Sequence, residues 1–93
     1  MVIAVLTLRL HYPEAGSLKQ KRFILRSLTD RVRKRFNVSV AEVDDRDLWQ
    51  SSILAVSHVN TDRREADSTL SSILNLLDGE NDLQVVDVQT EFL

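Results

Sequence analysis

The sequence predicts an α+β domain of the ferredoxin-like kind, a βαββαβ sandwich in which a four-stranded antiparallel sheet carries two helices on one face. Three observations lead there. Four short stretches are rich in β-branched residues or alternate apolar with polar ones, two longer stretches place apolar residues at helical spacing, and their order along the chain is β-α-β-β-α-β. Right-handed crossovers close that order into one sheet with both helices on the same side.

The first strand is Val2 to His11, VIAVLTLRLH, apolar throughout its first half and alternating toward its end, as expected of a central strand. Pro13 and Gly16 stop it. Ser17 offers a capping oxygen to a long helix that runs to about Phe36, with Leu18, Leu25, Leu28, Val32 and Phe36 as its buried stripe. Val38 to Val43 reads as the second strand, and its change of phase from Val38/Val40 to Ala41/Val43 predicts a bulge. Asp44-Asp45-Arg46-Asp47 has turn composition, and Leu48 to Val59 is the third strand, with Trp49 expected to anchor that end of the core. Asn60 to Asp62 caps a second helix whose apolar face is Ala66, Leu70, Ile73, Leu74 and Leu77, and Gly79 ends it. Leu83 to Val88 opens a last strand that finishes near Phe92.

With 93 residues the chain has material for one core, so a single domain over residues 1–93 is expected. Hydrophobic residues at 43% and charged residues at 28% are an ordinary globular balance, which excludes disorder as the ground state. No cysteine is present, so thiolate metal sites and disulfides are excluded and a reducing, cytoplasmic setting is expected. The apolar run Val2–Leu6 is far too short to span a bilayer, and neither a signal peptide nor a membrane anchor is expected.

The net charge of −2 hides a strong asymmetry. From Lys19 to Arg35 there are eight basic residues against the single acid Asp30, whereas from Asp62 to Leu93 there are eight acids against Arg63 and Arg64. On a helix, Lys19, Arg22, Arg26 and Arg33 fall at i, i+3, i+7 and i+14, one stripe beside the buried face, while Arg31 and Arg35 flank the other side and Lys34 points outward. Such a helix is roughly 25 Å long at about 1.5 Å per residue, enough to follow several phosphates. Lys19, Arg22, Arg26, Arg33 and Lys34 are therefore the candidate nucleic-acid-binding residues. Neutralisation by the acidic second helix is the plainer account of the same charges. So many like charges on one helix nevertheless cost stability and exceed what solubility requires.

Other constellations carry less. The first strand has no aromatic side chain and the third only Trp49 at its entrance, so the base-stacking sheet of an RNA-recognition motif is not expected. Asp44, Asp45 and Asp47 fit a hairpin turn better than a cation loop, and His11 and His58 are expected as surface or hydrogen-bonded histidines. Two glycines cannot make a glycine-rich phosphate loop, and the serines form no nucleophile motif, so no enzyme, metal or cofactor is expected.

Ser17-Leu18-Lys19-Gln20-Lys21-Arg22, then Arg35-Phe36-Asn37-Val38-Ser39-Val40-Ala41-Glu42-Val43-Asp44 and Asp47-Leu48-Trp49-Gln50, resemble the YlxP-like proteins of bacteria across essentially the whole chain. Gln20 departs from the glutamate common in relatives and leaves the helix more basic. The resemblance implies a ferredoxin-like fold. Genes of such proteins often lie near those for transcription elongation, translation initiation and ribosome maturation factors, which implies a role near RNA or the ribosome. The expectation is thus a non-catalytic accessory factor that binds structured or ribosomal RNA through the basic helix. The alternative is an interaction module whose basic helix docks on an acidic protein surface. A homodimer through the open sheet face, where Val5 and Ile53 are placed, completes the expected partners.

Overall fold

A computed structural model describes all of residues 1–93. Its elements are β1 (Val2–His11), α1 (Leu18–Arg35), β2 (Ser39–Asp44), β3 (Ser51–Asn60), α2 (Arg63–Asp78) and β4 (Gln84–Phe92). The four strands form one antiparallel sheet in the order β2-β3-β1-β4, the ferredoxin-like arrangement. β1 and β3 are central, as the apolar run of β1 requires, and β2 and β4 are the edges.

Alternation sets which residues the sheet buries. Ala4, Leu6, Leu8 and Leu10 of β1 and Leu54 and Val56 of β3 point into one core, where Leu25, Leu28 and Val32 of α1 meet Ala66, Leu70, Ile73 and Leu77 of α2. Every fully buried side chain of the Leu or Ile class in that set contributes about 1.5–3 kcal/mol by leaving water. Leu18, Phe36 and Leu74, assigned to the same stripes from the sequence, are only half-buried.

Local signals end the elements where expected. The Ser17 side chain accepts the Gln20 N–H at 3.1 Å, and the Gly16 N–H donates to Gln20 Oε1, so residues 16–20 close the start of α1 from both directions. Asp62 caps α2 by accepting the Arg64 N–H at 2.9 Å, and Gly79 ends that helix. The bulge expected in β2 falls at Val43: Glu42 pairs with Leu54 and Asp44 with Ile53, leaving Val43 without a partner.

β3 starts at Ser51, three residues after the expected Leu48. Trp49 consequently lies in the turn before it and is 56% exposed, which corrects the expectation that it anchors the core. That end of the molecule is held instead by Gln50, whose carbonyl accepts the Tyr12 N–H at 2.9 Å and whose amide donates to the carbonyls of Ala15 and Pro13. Tyr12 is fully buried, and its hydroxyl lies 2.6 Å from Ser52 Oγ.

Candidate nucleic-acid interface

The acidic turn between β2 and β3 brings a further arginine, Arg46, up to the basic helix. Asp45 adopts φ 60°, a left-handed conformation that Asp tolerates, and its own N–H donates to Asp44 Oδ1. Asp45 Oδ2 accepts from Ser51 Oγ at 2.8 Å and lies 3.8 Å from an Arg9 guanidinium nitrogen. The turn folds back against α1 because one lysine holds it there. Lys21 is 0% exposed, and its ammonium donates to the carbonyls of Asp45 at 2.7 Å, Ser51 at 2.9 Å and Arg46 at 3.3 Å. Glu42 Oε2 supplies the countercharge at 2.9 Å, as an ion pair rather than through an aligned hydrogen bond. A buried ammonium surrounded by carbonyls and a carboxylate is the arrangement that makes such a charge tolerable away from water.

This fixture places Arg46 at a groove of about 310 Å³ between α1 and the edge strand β2. Arg22, Arg26 and Arg33 line it from the helix, Arg46 from the turn, and Leu25, Val40 and Leu54 form its floor. All four arginines are exposed. Arg33 is also tied to the protein, donating to the Val40 carbonyl at 2.8 Å with Asp30 4.0 Å away. Arg22, Arg26 and Arg46 have no carboxylate partner. The Glu42 carboxylate that also lines the groove is committed to Lys21.

The five residues singled out from the sequence therefore divide. Arg22, Arg26 and Arg33 converge on the groove; Lys19 lies at the start of α1 beside a separate depression with Glu14 and Asp82; Lys34 points outward near the other end. Two further basic residues of the helix are spent on the fold. Lys21 is internal, and Arg31 pairs with Glu80 beyond the end of α2. Arg46 was missed because its neighbours in sequence are acids, and only the hairpin's return against α1 brings it to the helix.

The histidines are engaged by the main chain. His58 Nδ1 donates to the Asn37 carbonyl at 2.8 Å while Nε2 accepts from Asn60 Nδ2 at 3.2 Å, and His11 Nδ1 lies 2.9 Å from the Gln50 carbonyl.

Residues 3–90 match the family described as "Protein of unknown function (DUF503)". The chain belongs to this family. It is 32% identical over 79 residues to the Bacillus subtilis "Uncharacterized protein YlxP", covering 85% of this chain and 86% of that protein. The YlxP-like resemblance of the chain thus holds. Among solved structures, the de novo designed protein Foldit4 superposes with a TM-score of 0.59 at 15% identity, over 98% of this chain and 97% of that one. At that identity the likeness is one of fold alone. No helix of the DUF503 domain is long and apolar enough to cross a membrane.

Proposed function

We propose that this DUF503 protein is a non-catalytic accessory factor that binds the phosphates of structured RNA, ribosomal RNA foremost, in the cytoplasm. The observation that carries the reading is the convergence of Arg22, Arg26, Arg33 and Arg46 on one groove in a protein whose net charge is −2. Guanidinium groups at close quarters repel one another, and a groove that collects four of them is stabilised by an occupant of opposite charge. Arginine presents a planar fork of N–H donors that matches two phosphate oxygens at once, which a solvated lysine does not. The groove runs along α1 from Arg22 to Arg33, about 16 Å at 1.5 Å per residue. That length suits successive phosphates on a structured strand better than one small anion. Both histidines are occupied by main-chain or amide partners, which favours binding over acid–base chemistry.

Titration of a labelled ribosomal RNA fragment across a range of salt concentrations tests the reading. Affinity that falls log-linearly with salt, with a slope of several charges, is the expected result. Absence of binding at low salt, together with saturable capture of one acidic protein after nuclease treatment, would assign the groove to a protein surface instead.

A further inference from the structure

One large aromatic on α1 plays no part in the core. Phe23 is 76% exposed and stands on the outer face of the helix, one residue after Arg22, four after Lys19 and three before Arg26. Side chains three and four apart on a helix have Cβ atoms about 5–6 Å from each other, so the ring is flanked by two cations. Beside it lies a depression of about 470 Å³ that Phe23 itself lines together with Ala15, Ile24, Lys19, Gln20, Glu14 and Asp82. Neither carboxylate is paired with a cation of the protein. The site combines a flat apolar ring, a cation for a phosphate, and acceptor oxygens that repel phosphate but receive N–H groups.

We propose that this depression binds one unpaired nucleobase of the RNA, stacked on Phe23, while the adjoining phosphates follow Arg22 and Arg26 into the groove. The inference rests on the RNA reading above and narrows it, from structured RNA in general to RNA with an unstacked nucleotide beside a stem. In an uninterrupted A-form duplex every base is stacked inside the helix, and no ring face is available to Phe23. A loop or bulge offers that face, and its base turns its Watson–Crick edge outward. Glu14 and Asp82 can accept from the amino or imino groups on that edge. Stacking on an aromatic side chain tolerates any base, so Phe23 supplies affinity for the unpaired nucleotide and the two carboxylates supply preference for bases rich in N–H donors.

The test compares a stem-loop RNA with the blunt duplex of the same stem, using the full chain and its Phe23→Tyr, Phe23→Leu and Phe23→Ala variants, each checked for an unchanged melting transition. The wild-type protein and Phe23→Tyr should bind the stem-loop roughly 5- to 100-fold more tightly than the duplex. Phe23→Leu and Phe23→Ala should bind both RNAs at the duplex level, because leucine keeps the apolar contact and loses the flat face. Equal wild-type affinity for the two RNAs, or a preference that survives in Phe23→Leu, would overturn this proposal and leave salt-dependent phosphate binding standing. Failure of the folded wild-type protein to bind either RNA would overturn both readings.

Discussion

Lys21 Nζ lies 2.9 Å from Glu42 Oε2 with the lysine side chain wholly out of water, and the same ammonium reaches three main-chain carbonyls of the β2–β3 turn. One charged side chain thereby fastens α1 to the hairpin that carries Arg46. Replacing it by methionine keeps much of its volume but leaves Glu42 unpaired and the carbonyls without their donor. Lys21→Met should therefore lose about 3–5 kcal/mol of unfolding free energy in a denaturant titration. Adding Glu42→Gln should recover part of that loss, since the uncompensated carboxylate is then gone. A loss under about 1 kcal/mol for the single variant would show that the ammonium is not the fastening described.

Burial pushes the Tyr12 hydroxyl up to about 12 from its ordinary 10.0, with the nearby Glu42 charge adding to the rise and the Ser52 hydrogen bond opposing it. The folded state thus favours the neutral phenol more than the unfolded chain does. Stability associated with this group is fully present below about pH 10 and falls as pH rises toward 12, by up to about 3 kcal/mol across the window. Tyr12 is the chain's only tyrosine, so ultraviolet titration of the folded protein reads it directly. Ionisation near pH 10 without unfolding would contradict the buried placement. The Tyr12→Phe variant should lose this alkaline dependence.

The fold was legible because hydrophobic spacing and capping agreed at every element, from Ser17 at the start of α1 to Gly79 at the end of α2. The site was legible only in part. Lys21 looked like one more member of a basic run, although its spacing of four, seven and eleven residues from Leu25, Leu28 and Val32 puts it on the buried stripe. That spacing was the available signal, outweighed by the rarity of a buried lysine. Trp49 was misplaced because tryptophan at a strand entrance reads as core, whereas odd-numbered positions of β3 face away from the helices and the strand has not yet begun at residue 49. Arg46 left no local trace at all, since its partnership with Arg22 and Arg26 depends on a hairpin folding back across the sheet edge.

The sheet face turned away from the helices mixes apolar and polar side chains, with Thr7 and Ser57 among its central positions. On this face Ile3 pairs with Val59 across β1 and β3, Val5 with Ser57, Thr7 with Ala55 and Arg9 with Ile53, while Arg9 also sits opposite Asp87 of β4. We expect a second copy of the chain to cover this face, because a two-fold axis can set Arg9 of one copy against Asp87 and Glu91 of the other while Val5 and Ile53 of the two copies meet. Sedimentation at high micromolar concentration should show a dimer, and Ile53→Lys should convert it to a monomer of unchanged fold. A wild-type monomer under those conditions would remove the assembly.

Whether the arginine groove holds RNA phosphates is read from the salt dependence of RNA binding in the Arg22→Ala/Arg26→Ala/Arg46→Ala variant. These three arginines have no carboxylate partner and no place in the core, so the melting transition should barely move; Arg33 is left in place because it also holds the Val40 carbonyl. With roughly 0.9 of log–log slope per phosphate contact in the B-DNA case, the variant's slope should flatten by about two to three and its affinity should fall on every structured RNA tried. A folded variant that keeps the wild-type affinity and slope would show that the groove does not hold RNA phosphates.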